Sequence, residues 1–192
     1  MSEPVLRTRR WSRLEYDRLI ALGIIQEDEH LELLAGELVL RDRQSPQHAW
    51  AIRATDEALR NAVGPDRHVR ALSPIALDDE SEPEPDLSVV PGTLRDYRDD
   101  HPSRPALLVE VADTSLAFDR EHKASLYARA RVPEYWIVNV VDRVLEVYRE
   151  SGPDTAAPYG WSYRETRTLH DAESFTPLVA PSARIFVADL LP

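Results

Sequence analysis

The sequence predicts a mixed α/β domain of the α+β type, and three observations predict it. Short β-prone runs recur along the chain, with residues 107–111, 134–139 and 144–148 the strongest. Capped helix starts stand between such runs, at Ser12 and at Ser45-Pro46. No internal repeat and no long linker breaks the 192 residues, so a single domain over 1–192 is expected, with residues 1–10 as a flexible arm.

The elements follow in order. Ser12-Arg13-Leu14-Glu15 reads as a capping box opening a helix that stops at Gly23, with Leu14, Leu19 and Leu22 as its buried stripe. Residues 30–34 and 37–41 alternate as two strands joined at Ala35-Gly36, and Glu32 lies in the first. Ser45 caps a helix begun by Pro46 and ended before Gly64-Pro65. Its apolar face is Ala51, Ile52, Thr55, Ala58 and Leu59, and His48 sits in its first turn. Residues 68–75 read as a strand. The acidic run 78–82 reads as a solvated loop. Pro83 and Pro85 keep the backbone extended before a short buried strand, 86–90. A helical turn is expected over 93–100. Residues 107–111 form the central strand, followed by a turn and a helix carrying Lys123, which Pro133 stops. Residues 134–139 and 144–148 make a hairpin turning at Val141-Asp142-Arg143. A loop over 151–158, an outer strand over 161–169 and a final short element over 183–191 complete the chain.

Composition narrows the function classes. The net charge of −11 counts against a broadly basic nucleic-acid-binding surface but leaves room for a local basic patch. The charge is uneven: Arg7, Arg9, Arg10 and Arg13 cluster near the start, and Asp78, Asp79, Glu80, Glu82, Glu84 and Asp86 crowd one stretch. There is no cysteine, which excludes disulfides and thiolate metal sites. No apolar run approaches the roughly 20 residues that span a bilayer, and MSEPVLRTRRW has no apolar signal core. A cytoplasmic protein without a membrane partner is expected.

Lys123 is the only lysine; the other 22 basic residues are arginine. Lysine differs from arginine in being a compact ammonium whose pKa can be tuned, so its single use marks a place where an amine matters. Asp119 lies four residues before it on the same predicted helix, where an ordinary surface ion pair is the alternative. Tyr127, one turn on, could line the same pocket or belong to the core. Glu110 interrupts an apolar run, and Asp86 leads into another; a carboxylate there needs a strand end, a partner or a cation. If the two strands are neighbours, the carboxylates converge. Such hard oxygen donors suit Mg²⁺, with Mn²⁺ as a substitute. Two carboxylates, a metal and an amine form a complete set for phosphodiester hydrolysis.

The order ELLAGELVL, SPQHAWAI, PEPDLSVV, LLVEVADTS and DREHKASLYARARVPEYWIVN resembles the Uma-two family of putative restriction endonucleases, within the PD-(D/E)XK nuclease superfamily. The resemblance runs from about Trp11 to Leu191. It implies a restriction endonuclease-like mixed β-sheet flanked by helices, with extra antiparallel strands and hairpins, and the acidic pair on adjacent strands. Carried over, Asp86 is the Pro-Asp aspartate and Glu110 the second acid, together holding Mg²⁺. Position 112 is alanine where the superfamily pattern has lysine; in the resembling family the lysine is displaced to the following helix, where Lys123 stands. Glu32 matches the Glu-Leu-x-x-Gly glutamate and His48 the early helix histidine. The implied activity is a DNA endonuclease, expected to act as a homodimer, with Tyr135-Trp136-Ile137-Val138 and the hairpin after it as interface. Two alternatives stay open: a non-catalytic interaction module that keeps the fold, which the acidic charge favours, and a phosphohydrolase of small nucleotides.

Overall fold

A computed structural model describes residues 8–41 and 44–192. Most of the arm expected over 1–10 lies outside the described residues; within them Arg9 pairs with Glu15 and Arg10 with Glu80. The centre is a six-stranded sheet in the order β3-β4-β5-β6-β7-β8. Its strands are β3 (Arg67–Ala71), β4 (Leu87–Pro91), β5 (Leu107–Ala112), β6 (Glu134–Asn139), β7 (Val144–Pro153) and β8 (Trp161–His170). Only β5 and β6 pair in parallel; the other neighbours are antiparallel. That parallel pair demands a crossover, and the crossover carries α3 (Leu116–Phe118), a π-helical turn (Asp119–Lys123) and α4 (Ala124–Arg129).

Strand alternation feeds two cores. Leu87, Val89, Val109, Val111, Trp136 and Val138 face α2 (Pro46–Ala62) and the C-terminal turn. Leu108, Ala112, Tyr135 and Ile137 face α4 and the hairpin of β1 (Leu31–Leu34) and β2 (Glu37–Leu40). Among the described residues no helix is long and apolar enough to cross a membrane.

The helices follow their local chemistry. Ser45 Oγ accepts from the His48 N–H at 3.2 Å, and Pro46 opens α2 without spending a needed donor. In α1 (Arg13–Ala21) both halves of the capping box are present. Its buried residue is Tyr16, whose hydroxyl donates to the Leu31 carbonyl at 2.6 Å. The expected stripe is corrected: Leu14 and Leu22 are 62% and 73% exposed, because α1 lies against the hairpin through its tyrosine.

Three further differences arise from packing. β7 continues through Ser151, Gly152 and Pro153, where a loop was expected. Beyond Arg149 it pairs only with β8, so the missing proline N–H costs no ladder bond. A short pair, β9 (Ser174–Phe175) with β10 (Ile185–Phe186), adds strands the sequence pattern did not mark. Tyr135–Val138 is fully buried between β5 and β7, so it cannot form an interface between copies.

Candidate active site

In the β4–β5 ladder Leu87 lies opposite Val109, and one further step sets Asp86 opposite Glu110. The Asp86 N–H donates to Glu110 Oε2 at 3.4 Å. Because Leu87 and Val89 point into the α2 core, Asp86 turns to the other face, with Glu110. Both carboxylates are buried, and each is partnered. Asp86 Oδ2 accepts from the Val111 N–H at 2.8 Å, and Oδ1 from Arg41 Nη2 at 3.1 Å. Glu110 Oε1 accepts from the Tyr127 hydroxyl at 2.5 Å.

Lys123 reaches the same place from the crossover. The Ala124 N–H donates to the Asp119 carbonyl, five residues back, so the helix carries one wide turn there. Arg120 anchors this turn to the sheet through a two-pronged bond to Glu146, at 3.0 and 2.6 Å. Lys123 is 5% exposed, and its ammonium bonds Glu32 Oε2 and lies 3.3 Å from Glu110 Oε1. The four-residue spacing suggested an ion pair with Asp119. Asp119 accepts instead from Ser115 at 2.6 Å, and the ion pairs of Lys123 go to the two glutamates.

Glu32 is buried on β1 and binds two cations, Lys123 through Oε2 and Arg41 Nε at 2.9 Å through Oε1. Arg41 also reaches Glu84 at 3.2 Å, so one guanidinium spans three carboxylates. His48 Nε2 stands 3.2 Å from Asp86 Oδ2, and its Nδ1 3.9 Å from Asp113. Glu32, His48, Asp86, Glu110, Asp119 and Lys123 all line one cavity of about 240 Å³; Tyr127 touches it through Glu110.

Arg41, Glu84 and Asp113 are the participants that sequence reasoning missed. Arg41 carries no signal in a chain whose basic residues are nearly all arginine. Glu82, assigned to the solvated acidic run, is instead buried, and burial together with Asp17 pushes its carboxyl up to about 7.

The electrostatics separate the roles. Burial works against the charge of Lys123, but Glu110 and Glu32 outweigh it and hold the ammonium above its ordinary pKa. Lys123 is therefore a fixed cation and hydrogen-bond donor at neutral pH, not an amine tuned downward. Burial and the nearby Asp86 push Glu110 up, against the pull of Lys123. Burial also disfavours the charged form of His48, yet Asp86 and Asp113 prevail and raise its pKa.

Five carboxylates line the cavity against two fixed cations and His48. This surplus of hard oxygen donors fits a divalent cation. Among the described residues no three His, Asp or Glu side chains stand together in a metal-binding group. Asp86 and Glu110 could hold such an ion only with water and substrate oxygens completing its shell, the manner in which Mg²⁺ is commonly bound. Arg41, on Asp86 Oδ1, would share or yield that oxygen.

Comparison with known proteins agrees with this architecture. The model of the Uma2 family, described as putative restriction endonuclease, matches residues 14–187. A crystal structure of a putative nuclease belonging to DUF820 from Anabaena variabilis matches with a TM-score of 0.66 at 13% identity, over 88% of this chain and 94% of that one. At that identity the likeness is one of fold. No curated protein matches the chain. With its family match covering nearly the whole length, this chain belongs to the Uma2 family.

Proposed function

We propose that this protein is a metal-dependent nuclease that hydrolyses DNA phosphodiester bonds. One observation carries the reading: the chain's single lysine is buried against Glu110, which neighbouring strands set opposite Asp86, and all three line one cavity. Membership of a family described as putative restriction endonuclease supports it.

Asp86 and Glu110 would hold Mg²⁺ or Mn²⁺. When bound, such an ion polarises a phosphoryl oxygen and acidifies water. The chain's own residues do the rest. In hydrolysis a water oxygen bonds to phosphorus and gives up a proton to solvent, the bond to one sugar oxygen breaks, and that oxygen takes up a proton from solvent. Lys123 donates toward the attacking water and the phosphoryl oxygens, where negative charge builds. Glu32 positions Lys123 and keeps it charged. His48 holds Asp86 from the α2 side. A two-fold pair of chains suits the cutting of both strands of a duplex, and light scattering after size exclusion tests that state.

The test is plasmid cleavage with and without Mg²⁺ or Mn²⁺ by wild type, Asp86→Asn and Lys123→Ala. Metal-dependent nicking lost in both variants supports the roles. An inert wild type that also binds no metal by calorimetry refutes them and leaves a non-catalytic module. Metal binding that depends on Asp86, without nicking, points to a small nucleotide as substrate.

A further inference from the structure

The chain carries 34 acidic residues, yet the Arg70 side chain makes no ion pair or hydrogen bond among the described residues. Its Nη1 is buried without a partner, and its one stabilising neighbour is the Tyr97 ring, 5.7 Å away. Burial lowers its pKa, as expected for a cation without a counter-charge. Directly across the β3–β4 ladder is Ser88, whose buried Oγ is equally unpartnered. Opposed residues of an antiparallel pair share a face. Two orphaned polar groups, one of them a guanidinium, therefore lie on one side of the sheet. A buried polar group without a partner is costly and calls for a ligand.

The surroundings say which ligand. Arg70 lines an open groove of about 400 Å³ that also takes in Arg60, His68, Ser73 and Tyr97, with no acidic residue in its lining. Arg60 is already matched by Asp56 at 2.8 Å; Arg70 is not. The groove runs along β3, the edge strand, beside the active site: the Leu72 N–H bonds the Asp86 carbonyl at 3.0 Å. Ser88, opposite Arg70, and Asp86 are two residues apart on the same face. Strand geometry separates Arg70 and Asp86 by roughly 8 Å between α-carbons. That is on the order of two nucleotide steps along a strand.

We propose that Arg70, with His68 beside it in the groove, is an anion site that holds a non-scissile phosphate of the nucleic-acid substrate. This places the strand along the β3 edge and deepens the nuclease reading on which it rests. A local cationic groove also reconciles phosphate-backbone binding with a net charge of −11.

The test uses the full chain and a labelled 20-base-pair duplex, without divalent ion, by fluorescence anisotropy from 50 to 200 mM salt. Removing one arginine–phosphate ion pair lowers the slope of log K against log salt by about 0.9. Arg70→Gln should show that drop and bind roughly tenfold or more weakly at the lowest salt. Arg70→Lys should restore the slope without full affinity, since it returns the charge but not the planar fork. Inorganic phosphate should protect wild type against thermal unfolding more than Arg70→Gln. In phosphate-free buffer Arg70→Gln should melt no lower than wild type, whereas a structural arginine would cost stability when removed. An unchanged slope together with unchanged phosphate protection overturns the site, as does a lowered melting temperature with unchanged binding. Nicking that persists while these measurements fail condemns the anion site alone. Arg70-dependent anion binding in a chain that never nicks condemns the nuclease reading alone.

Discussion

Replacing Lys123 by methionine keeps the apolar stem and removes the ammonium, leaving Glu32 and Glu110 facing one another within the buried network. Breaking a buried pair by deleting one partner costs about 3–5 kcal/mol. Glu32 retains Arg41 at 2.9 Å, and Glu110 retains the Tyr127 hydroxyl at 2.5 Å, which favours the lower part of that range. In urea, with a slope of about 2 kcal/mol per molar, the midpoint should fall by about 1.5–2 M. The loss should depend on pH. Lys123 restrains the upward shift of Glu110, so its removal lets the folded state bind a proton more tightly. A carboxyl whose folded pKa exceeds its unfolded one loses stability as pH rises between the two values. The gap between variant and wild type should thus widen above about pH 8, where the wild-type carboxyl has lost its proton and the variant's has not. Equilibrium unfolding in EDTA, followed by fluorescence of the buried Trp136, measures it. Adding Glu32→Gln should recover part of the loss, giving a coupling between the two sites. A cost below about 1 kcal/mol, the same at every pH and additive with Glu32→Gln, would refute the buried network and reduce Lys123 to a surface-type ion pair.

Other expectations follow from the same geometry. Arg41→Gln frees Asp86 Oδ1 and should tighten Mn²⁺ binding on the order of tenfold by electron paramagnetic resonance titration; weaker binding would show that Arg41 does not compete with the ion. Glu82→Gln should raise stability at pH 8 by up to about 3 kcal/mol and flatten the decline between pH 4.5 and about 7, because the buried carboxyl of the folded chain prefers its proton. Identical pH profiles for both proteins would count against that assignment. Gly36→Ala should cost about 1–2 kcal/mol, since φ is +81° and a β-carbon would meet Arg10 Cβ at 2.7 Å; an unchanged melting temperature contradicts it. Ser45→Ala should cost about 1 kcal/mol and loosen His48, seen as a fall in the histidine's pKa by NMR.

Much of the scaffold was legible because local chemistry and tertiary packing agree along it. The Ser45-Pro46 start, the Ala35-Gly36 turn and the buried runs of β5 and β6 each stand where the pattern put them. The meeting of Asp86 with Glu110 followed from a single assumption, that their strands are neighbours. What stayed hidden was set by three-dimensional convergence. Arg41 matters because the hairpin carries it across to Glu84 and Asp86, residues more than 40 positions away. In α1 the buried residue is Tyr16, bonded to the Leu31 carbonyl, a contact across 15 positions that the leucine spacing does not mark. The wide turn before Lys123 leaves no mark in a sequence that otherwise reads as an ordinary helix.

That turn makes the chain's length at this point as consequential as its chemistry. Arg120 is tied to the sheet on one side, and Lys123 is fixed between two glutamates on the other. Removing any one residue between them would close the wide turn to α-helical pitch and shift the two attachments relative to one another. One attachment would have to let go. A single-residue deletion here would thus strike the cavity while sparing the apolar packing of Leu126 and Tyr127, whose phase is set downstream. In this segment the spacing itself is under constraint, and shifts of frame along the helix discriminate more sharply than changes of side chain.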